Sequence, residues 1–152
     1  MTLERFDLCE MVSELAERCS EQFLLAGCQV KIDSCDPVIG TWDRFRLEQV
    51  VTNLLTNAMR YGAGEPIEVK VRGNQDGAEI IVSDHGRGIA LENHDRIFLR
   101  FDRAGLGNEI CGLGLGLYIV KEILDAHHAS IRVESELGRG ATFVVNLPAS
   151  AN

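Results

Sequence analysis

Two asparagines, one aspartate and a run of glycines carry the chemistry open to this sequence. In RLEQVVTNLLTNAMRYG, Arg46, Gln49, Asn53, Asn57 and Arg60 fall along one face of a helix, and residues four apart on such a face stand ~6 Å from each other. Mid-helix asparagine lowers helix propensity, because its amide competes for backbone hydrogen bonds. A pair of them is explained by local cap-like contacts, or by an Asn57 carbonyl oxygen offered to a hard cation or to phosphate-bound water. DHGRG puts Asp84 at the end of an apolar strand, where a buried carboxylate needs a partner. An adenine amine is such a partner, and Gly86 and Gly88 let the backbone run close to a flat ring; an Asx turn leaving the strand is the plain alternative. CGLGLGL sets Gly112, Gly114 and Gly116 just before a helix. Bare N–H groups there receive phosphate, unless the glycines only turn the chain. Thr142 could donate its hydroxyl to Asp84 or to a ring nitrogen, or be an ordinary strand residue.

Two familiar phosphate sites are excluded. A dinucleotide fingerprint follows a strand, whereas a loop precedes CGLGLGL, and no GK[ST] of a Walker A loop occurs anywhere.

The elements that must position these groups can be read from periodicity. Asp7 with Glu10 forms a capping box for a first helix whose stripe is Leu8, Met11, Val12, Leu15, Cys19 and Phe23, ending near Gly27. Gln29 to Asp33 and Val38–Ile39 read as short strands. Asp43 is the N-cap of the asparagine helix, whose inward residues are Leu47, Val50, Val51, Leu54, Leu55 and Ala58. Ile67 to Val71 and Ala78 to Val82 flank an NQDG turn as a hairpin. A short helix over Glu92 to Phe98, a mobile loop over Arg103 to Cys111 and a helix over Leu115 to His127 follow, the last with Leu117, Val120, Ile123 and Leu124 inward. Ser130 to Ser135 and Ala141 to Leu147 close the chain as strands around Gly138–Arg139–Gly140. Late strands without crossover helices disfavour a doubly wound parallel sheet. The pattern predicts an α+β fold, a two-layer α/β sandwich whose mixed, largely antiparallel sheet has its helices packed on one face.

The 152 residues suit one hydrophobic core, with 45% apolar and 25% charged residues. A net charge of −8 without a basic stripe argues against a nucleic-acid binder. The five cysteines show neither CxxC pairs nor zinc spacing and read as thiols in a reducing compartment. No apolar run is long enough to span a bilayer. The segment therefore reads as cytoplasmic with no direct membrane contact, and the anchoring of any longer parent is open.

From Phe6 to Pro148 the chain resembles the ATP-binding catalytic domain of sensor histidine kinases, within the superfamily of gyrase-, Hsp90- and MutL-type ATPases. EQVVTNLLTNAMRYG is similar to the family's N box, DHGRG to its first glycine box, IFLRF with Arg103 to its phenylalanine box, CGLGLGL to its second glycine box and GRGATF to its last. The resemblance implies that residues 1–152 form one catalytic domain of a longer kinase. It gives Asn57 the role of Mg2+ ligand and puts Asn53 in the same polar site. Arg60 would approach phosphate, and Tyr61 would flank the nucleotide. Asp84 would read adenine, with Gly86, Gly88 and Ile89 beside the ring. Residues 99–112 would form the ATP lid, turned over the phosphates by Gly112, Leu113, Gly114, Leu115, Gly116 and Leu117. Asn53, Asn57, Arg60 and Arg103 would make up the catalytic set. Two departures stand out: Cys111 replaces a frequent glycine, and His127–His128–Ala129 replaces a histidine followed by glycines, which puts the turn at Ala129 in doubt.

The implied activity is γ-phosphoryl transfer from Mg-ATP to a histidine on a separate dimerisation and phosphoacceptor domain, which in turn serves a response regulator. Asn53 stands where the hydrolysing branches carry a Glu, and an amide is no general base. A serine kinase of the anti-sigma type and a nucleotide-responsive module without transfer are the alternatives.

Overall fold

The structure, a computed structural model, describes residues 1–25, 27–33, 36–61, 64–94, 96–98 and 116–151. Its elements are β1 (Glu4–Asp7), α1 (Leu8–Leu25), β2 (Val30–Asp33), β3 (Ile39–Trp42), α2 (Arg44–Tyr61), β4 (Ile67–Asn74), β5 (Gly77–Ser83), two 3₁₀ turns (Leu91–Asn93 and Arg96–Phe98), α3 (Gly116–Ala126), β6 (Ser130–Ser135) and β7 (Ala141–Pro148). A five-stranded sheet runs β2-β4-β5-β7-β6, with only β2 and β4 parallel. The helices lie on its apolar face, as expected. Ile67, Val69 and Val71 of β4, Ala78, Ile80 and Val82 of β5, and Phe143, Val145 and Leu147 of β7 are all buried there, in register across the strands (Val69↔Val82↔Phe143, Val71↔Ile80↔Val145). The other face carries pairs such as Arg72–Glu79, 2.7 Å apart.

α2 buries the residues its periodicity named: Leu47, Val50, Val51, Leu54, Leu55 and Ala58 are each buried. Its cap is Asp43, whose Oδ1 accepts the Arg46 N–H at 3.2 Å. Burial pushes this carboxyl up, but hydrogen bonds from the Thr2 and Arg46 N–H groups, with His127 and the chain's amino terminus nearby, bring it below its ordinary value. Asp7 caps α1 through the Cys9 N–H (3.0 Å) and also accepts the Val38 N–H (2.9 Å). Glu10 is exposed and makes no return bond, so the expected capping box is only half formed.

Three expectations are corrected. β1 was not foreseen, since ERFD buries only Phe6 and is too short to show alternation; it forms a separate two-stranded sheet with β3. The helix expected over Glu92 to Phe98 is two single 3₁₀ turns instead. The left-handed residue after α3 is His128 (φ 57°), not Ala129. There the His128 N–H reaches Asp125 C=O (3.1 Å) and the Ala129 N–H reaches Leu124 C=O (2.8 Å), the bonding of a Schellman cap. The loop expected over Arg103 to Cys111 lies outside the described residues.

Trp42 locks the small sheet to the large one. It is fully buried, stacks edge-on against Phe6 (centroids 5.5 Å apart), and its Nε1–H donates to Pro148 C=O at 2.7 Å. Trp42→Phe keeps most of the ring but strands that carbonyl, and should lower the unfolding free energy by about 1–3 kcal/mol. Urea unfolding followed by circular dichroism measures it; an unchanged midpoint would show that the carbonyl finds another donor.

Candidate active site

The site is assembled where β5 runs out beneath α2. Asp84 continues the inward parity of Ala78, Ile80 and Val82 and is buried at 5% exposure. One oxygen, Oδ1, accepts two backbone donors, the N–H of Gly86 (2.9 Å) and of Ala141 (3.2 Å). The other, Oδ2, makes no hydrogen bond among the described residues. Among the described residues, the Asx turn and an uncommitted acceptor therefore coexist in one side chain, an oxygen for each. Burial raises the Asp84 carboxyl above the ordinary range, only partly offset by those two N–H donors and by His85.

Two loops, 84–89 and 135–140, are closed against each other around this carboxylate. Gly138 N–H donates to Arg87 C=O (2.7 Å), Ile89 N–H donates to Ser135 Oγ (2.7 Å), and the Ser135 hydroxyl donates to Gly140 C=O (2.7 Å). Both glycines at the seam are obligatory. A Cβ on Gly88 (φ +73°) would sit 2.0 Å from Glu136 O, and one on Gly140 (φ +81°) 2.2 Å from Asp84 O. Gly88 thus serves a close approach of backbone to backbone. Gly86 is buried, and Ile89 packs partly buried against the core.

Thr142 does not reach Asp84. It stands opposite Ser83 in the β5–β7 register, and its Oγ1 lies 3.1 Å from Ser83 Oγ. Strand alternation puts it on the face away from the carboxylate, and the β7 group that meets Asp84 is the backbone of Ala141.

Above the sheet, α2 presents Asn53 and Asn57 half-buried and Arg60 exposed; Tyr61 is its last residue. Asn53 Nδ2 donates to Gly116 C=O (3.2 Å), the first residue of α3. The side-chain carbonyl oxygen of Asn53 makes no hydrogen bond among the described residues, while the amide half holds the two helices together. Asn57 makes no hydrogen bond among the described residues. Leu117 is partly buried against the core, with Val120, Ile123 and Leu124 buried behind it. Arg103, Gly112, Leu113, Gly114, Leu115 and the expected lid 99–112 lie outside the described residues.

Sequence reasoning did not single out Ser135, and it named Gly140 only within the GRG turn and the GRGATF box. A serine at a strand end carries no signal of its own. The φ of Gly140 was legible only in the turn motif GRG, not in its contact with Asp84.

No group of three or more acidic, histidine or cysteine side chains suited to a metal exists among the described residues. Among the same residues no helix is long and apolar enough to cross a membrane.

Residues 42–151 match the family model described as histidine kinase-, DNA gyrase B-, and HSP90-like ATPase. The sensor protein SrrB of Staphylococcus aureus is 38% identical over 125 residues, covering 80% of this chain and 21% of SrrB. The chain therefore spans about a fifth of the length of the curated relatives it matches. Among solved structures, the catalytic domain of histidine kinase ThkA superposes with a TM-score of 0.87 at 24% identity, over 99% of this chain and 98% of that one. The mycobacterial sensor histidine kinase MprB does so with a TM-score of 0.83 at 26% identity, over 98% and 99% of the two chains. The chain belongs to the histidine kinase-, DNA gyrase B- and HSP90-like ATPase family, as an ATP-binding catalytic domain of the sensor histidine kinase type.

Proposed function

We propose that residues 1–152 act as the catalytic domain of a longer kinase. The domain holds Mg-ATP against α2 and the paired loops 84–89 and 135–140, and transfers the γ-phosphoryl group to a histidine on a separate dimerisation and phosphoacceptor domain. A response regulator is then served through that domain, and residues 99–112 act as the lid. Asp84 Oδ2 accepts the adenine amine. Gly86, Gly88 and Ile89 line the ring and Tyr61 flanks the nucleotide; Asn53, Asn57 and Arg60 serve the phosphates, with Arg103 in the catalytic set and Gly112, Leu113, Gly114, Leu115, Gly116 and Leu117 in nucleotide binding.

The observation that carries transfer over hydrolysis concerns the acids of α2. Its only carboxylate, Glu48, is held by Arg44 (3.4 Å) and Arg18 (3.5 Å), on the side of the helix away from Asn53 and Asn57. The site face offers amides and arginine but no proton acceptor for water. An imidazole needs none. Its ring nitrogen attacks the γ-phosphorus, the bond to the bridging oxygen breaks, and ADP leaves with that electron pair.

The residues present fit Mg2+. This ion prefers a few protein oxygens completed by substrate phosphates and water, and the half-buried Asn57 amide makes no other hydrogen bond among the described residues. Bound there, Mg2+ would neutralise phosphate charge.

The test uses the purified chain with and without a histidine-bearing helical phosphoacceptor domain. ATP should bind, hydrolysis should stay far below ~1 s⁻¹, and added acceptor should become phosphorylated with the acid-labile, base-stable behaviour of phosphohistidine. Asn57→Ala should suppress transfer and the Mg2+ dependence of binding. Steady hydrolysis near ~1 s⁻¹, lost in Asn57→Ala, would move the assignment to the hydrolases. A base-labile product on serine would move it to the serine kinases, and binding without any transfer to a nucleotide-responsive module.

A further inference from the structure

α2 and α3 pack against each other, and two hydrogen bonds between described residues link them in an antiparallel sense. One is Asn53 Nδ2 to Gly116 C=O, where α3 begins. The other lies just beyond the end of α3. There the Asp43 N–H, at the start of α2, donates to His127 Nε2 at 3.1 Å. His127 is fully buried, and its Nδ1 lies 2.9 Å from Ile123 C=O. A backbone N–H can only donate and a carbonyl can only accept, so the ring carries its proton on Nδ1 and uses both nitrogens. Asp43 also accepts the Thr2 N–H on Oδ2 at 3.0 Å. One buried pair thus joins the N-terminal segment, the asparagine helix and α3.

We propose that His127 is a positioning residue for nucleotide binding. By fixing the end of α3 on the cap of α2, it sets, with the Asn53–Gly116 bond, the spacing between the asparagine face of α2 and the first turn of α3 at Gly116. This rests on the reading that ATP phosphates lie between those two surfaces. Apolar packing of Val120 and Leu124 holds α3 down but is non-directional. It constrains sliding and rotation of the helix less sharply than the directional bonds at its two ends do. An imidazole suits the position because it reaches an acceptor role and a donor role from one rigid ring. Asn53 then acts at the phosphate side and His127 at the far end of the same interface.

Two measurements test this. ATP affinity is read by calorimetric titration for His127→Phe and His127→Gln, at a temperature where circular dichroism shows each folded. Phe fills the volume without either bond and should weaken binding about fivefold or more. Gln offers an acceptor and a donor at similar reach and should recover most of the loss. Coupling is reciprocal, so in the wild-type chain ATP must slow hydrogen exchange of the Asp43 amide more than that of the Val69 amide in β4. A folded His127→Phe with wild-type affinity, or equal slowing at the two amides, would overturn the proposal. Should His127→Phe not fold, the exchange comparison decides alone. A wild-type chain that binds no ATP overturns the underlying reading and this proposal with it, whereas one that binds with His127→Phe unimpaired overturns the proposal only.

Discussion

Asp84→Asn is expected to weaken ATP and ADP binding about tenfold or more while leaving the fold intact. The two halves of that statement come from the two oxygens. Oδ1 already accepts the Gly86 and Ala141 N–H groups, and an asparagine carbonyl takes over both. Oδ2 is replaced by an NH2 group, which meets the adenine amine donor to donor. A hydrogen bond to a charged group is worth roughly 1.5–3 kcal/mol, hence tenfold or more in affinity. The variant also loses a charge that is buried without full compensation, so its thermal midpoint at neutral pH should be unchanged or raised.

The sign of the pH dependence follows from the raised Asp84 carboxyl. Between the ordinary carboxylate value and the raised one, the folded chain holds a proton that the unfolded chain has released. Stability contributed by this residue is therefore highest in acid and falls as pH rises through that window. Nucleotide affinity runs the other way, lost as pH falls through the raised value because a protonated carboxyl no longer accepts. Calorimetric titration of wild type and Asp84→Asn across pH 4 to 7 (roughly, the carboxylate range and above) measures the affinity, and urea unfolding over the same range measures the stability. Equal affinity in the folded variant would remove Asp84 from adenine recognition.

Gly140→Ala should be more damaging than Gly138→Ala, although the two residues share nearly the same backbone angle. At φ +84°, Gly138 has nothing within 4 Å of an added Cβ, so alanine there meets only the left-handed penalty of about 1–2 kcal/mol. At φ +81°, Gly140 would drive its Cβ to 2.2 Å from Asp84 O and 2.9 Å from the carbonyl carbon. The backbone must move, and what moves is the segment carrying Asp84. We expect Gly140→Ala to lose about 3 kcal/mol or more of stability and most of its ATP affinity, with Gly138→Ala retaining affinity. Parallel denaturation and titration of the two variants check this; similar losses in both would mean that the loop relaxes around Gly140.

What was legible in the sequence was set by periodicity and by turn chemistry. Six inward positions of α2 could be named because a 3.6-residue period fixes a helix face by itself. The strands β4, β5 and β7 were named from their β-branched runs between turn residues, while the face each residue takes was not. Thr142 was left open between Asp84, a ring nitrogen and an ordinary strand place for a related reason: alternation fixes faces only once the register with Ser83 is known, and no pattern in GRGATF reveals that register. Ser135, His127 and the β1–β3 pairing were out of reach because each acts across a large gap in the chain through a single hydrogen bond or a four-residue strand. His128 shows a further limit. The turn after α3 looked like a problem for Ala129, but the cap accommodates its left-handed residue one position earlier, on a histidine.

The pairing of β3 has a mechanical consequence. One edge of β3 is bonded to β1 (Glu4↔Trp42 through Asp7↔Ile39). On its other side Thr41 N–H reaches Ala149 C=O (3.1 Å), and the Ala151 N–H reaches Thr41 C=O (2.9 Å). The first and last stretches of the described chain are thus stitched to opposite edges of one four-residue strand. Both stretches leave β3 at its Trp42 end, so tension applied between them peels those few hydrogen bonds one after another, with the Trp42 anchor on Pro148 behind them. The Ala149 N–H also donates to Asp76 C=O (3.1 Å), so the load reaches the β4–β5 turn, at the end of β5 opposite Asp84.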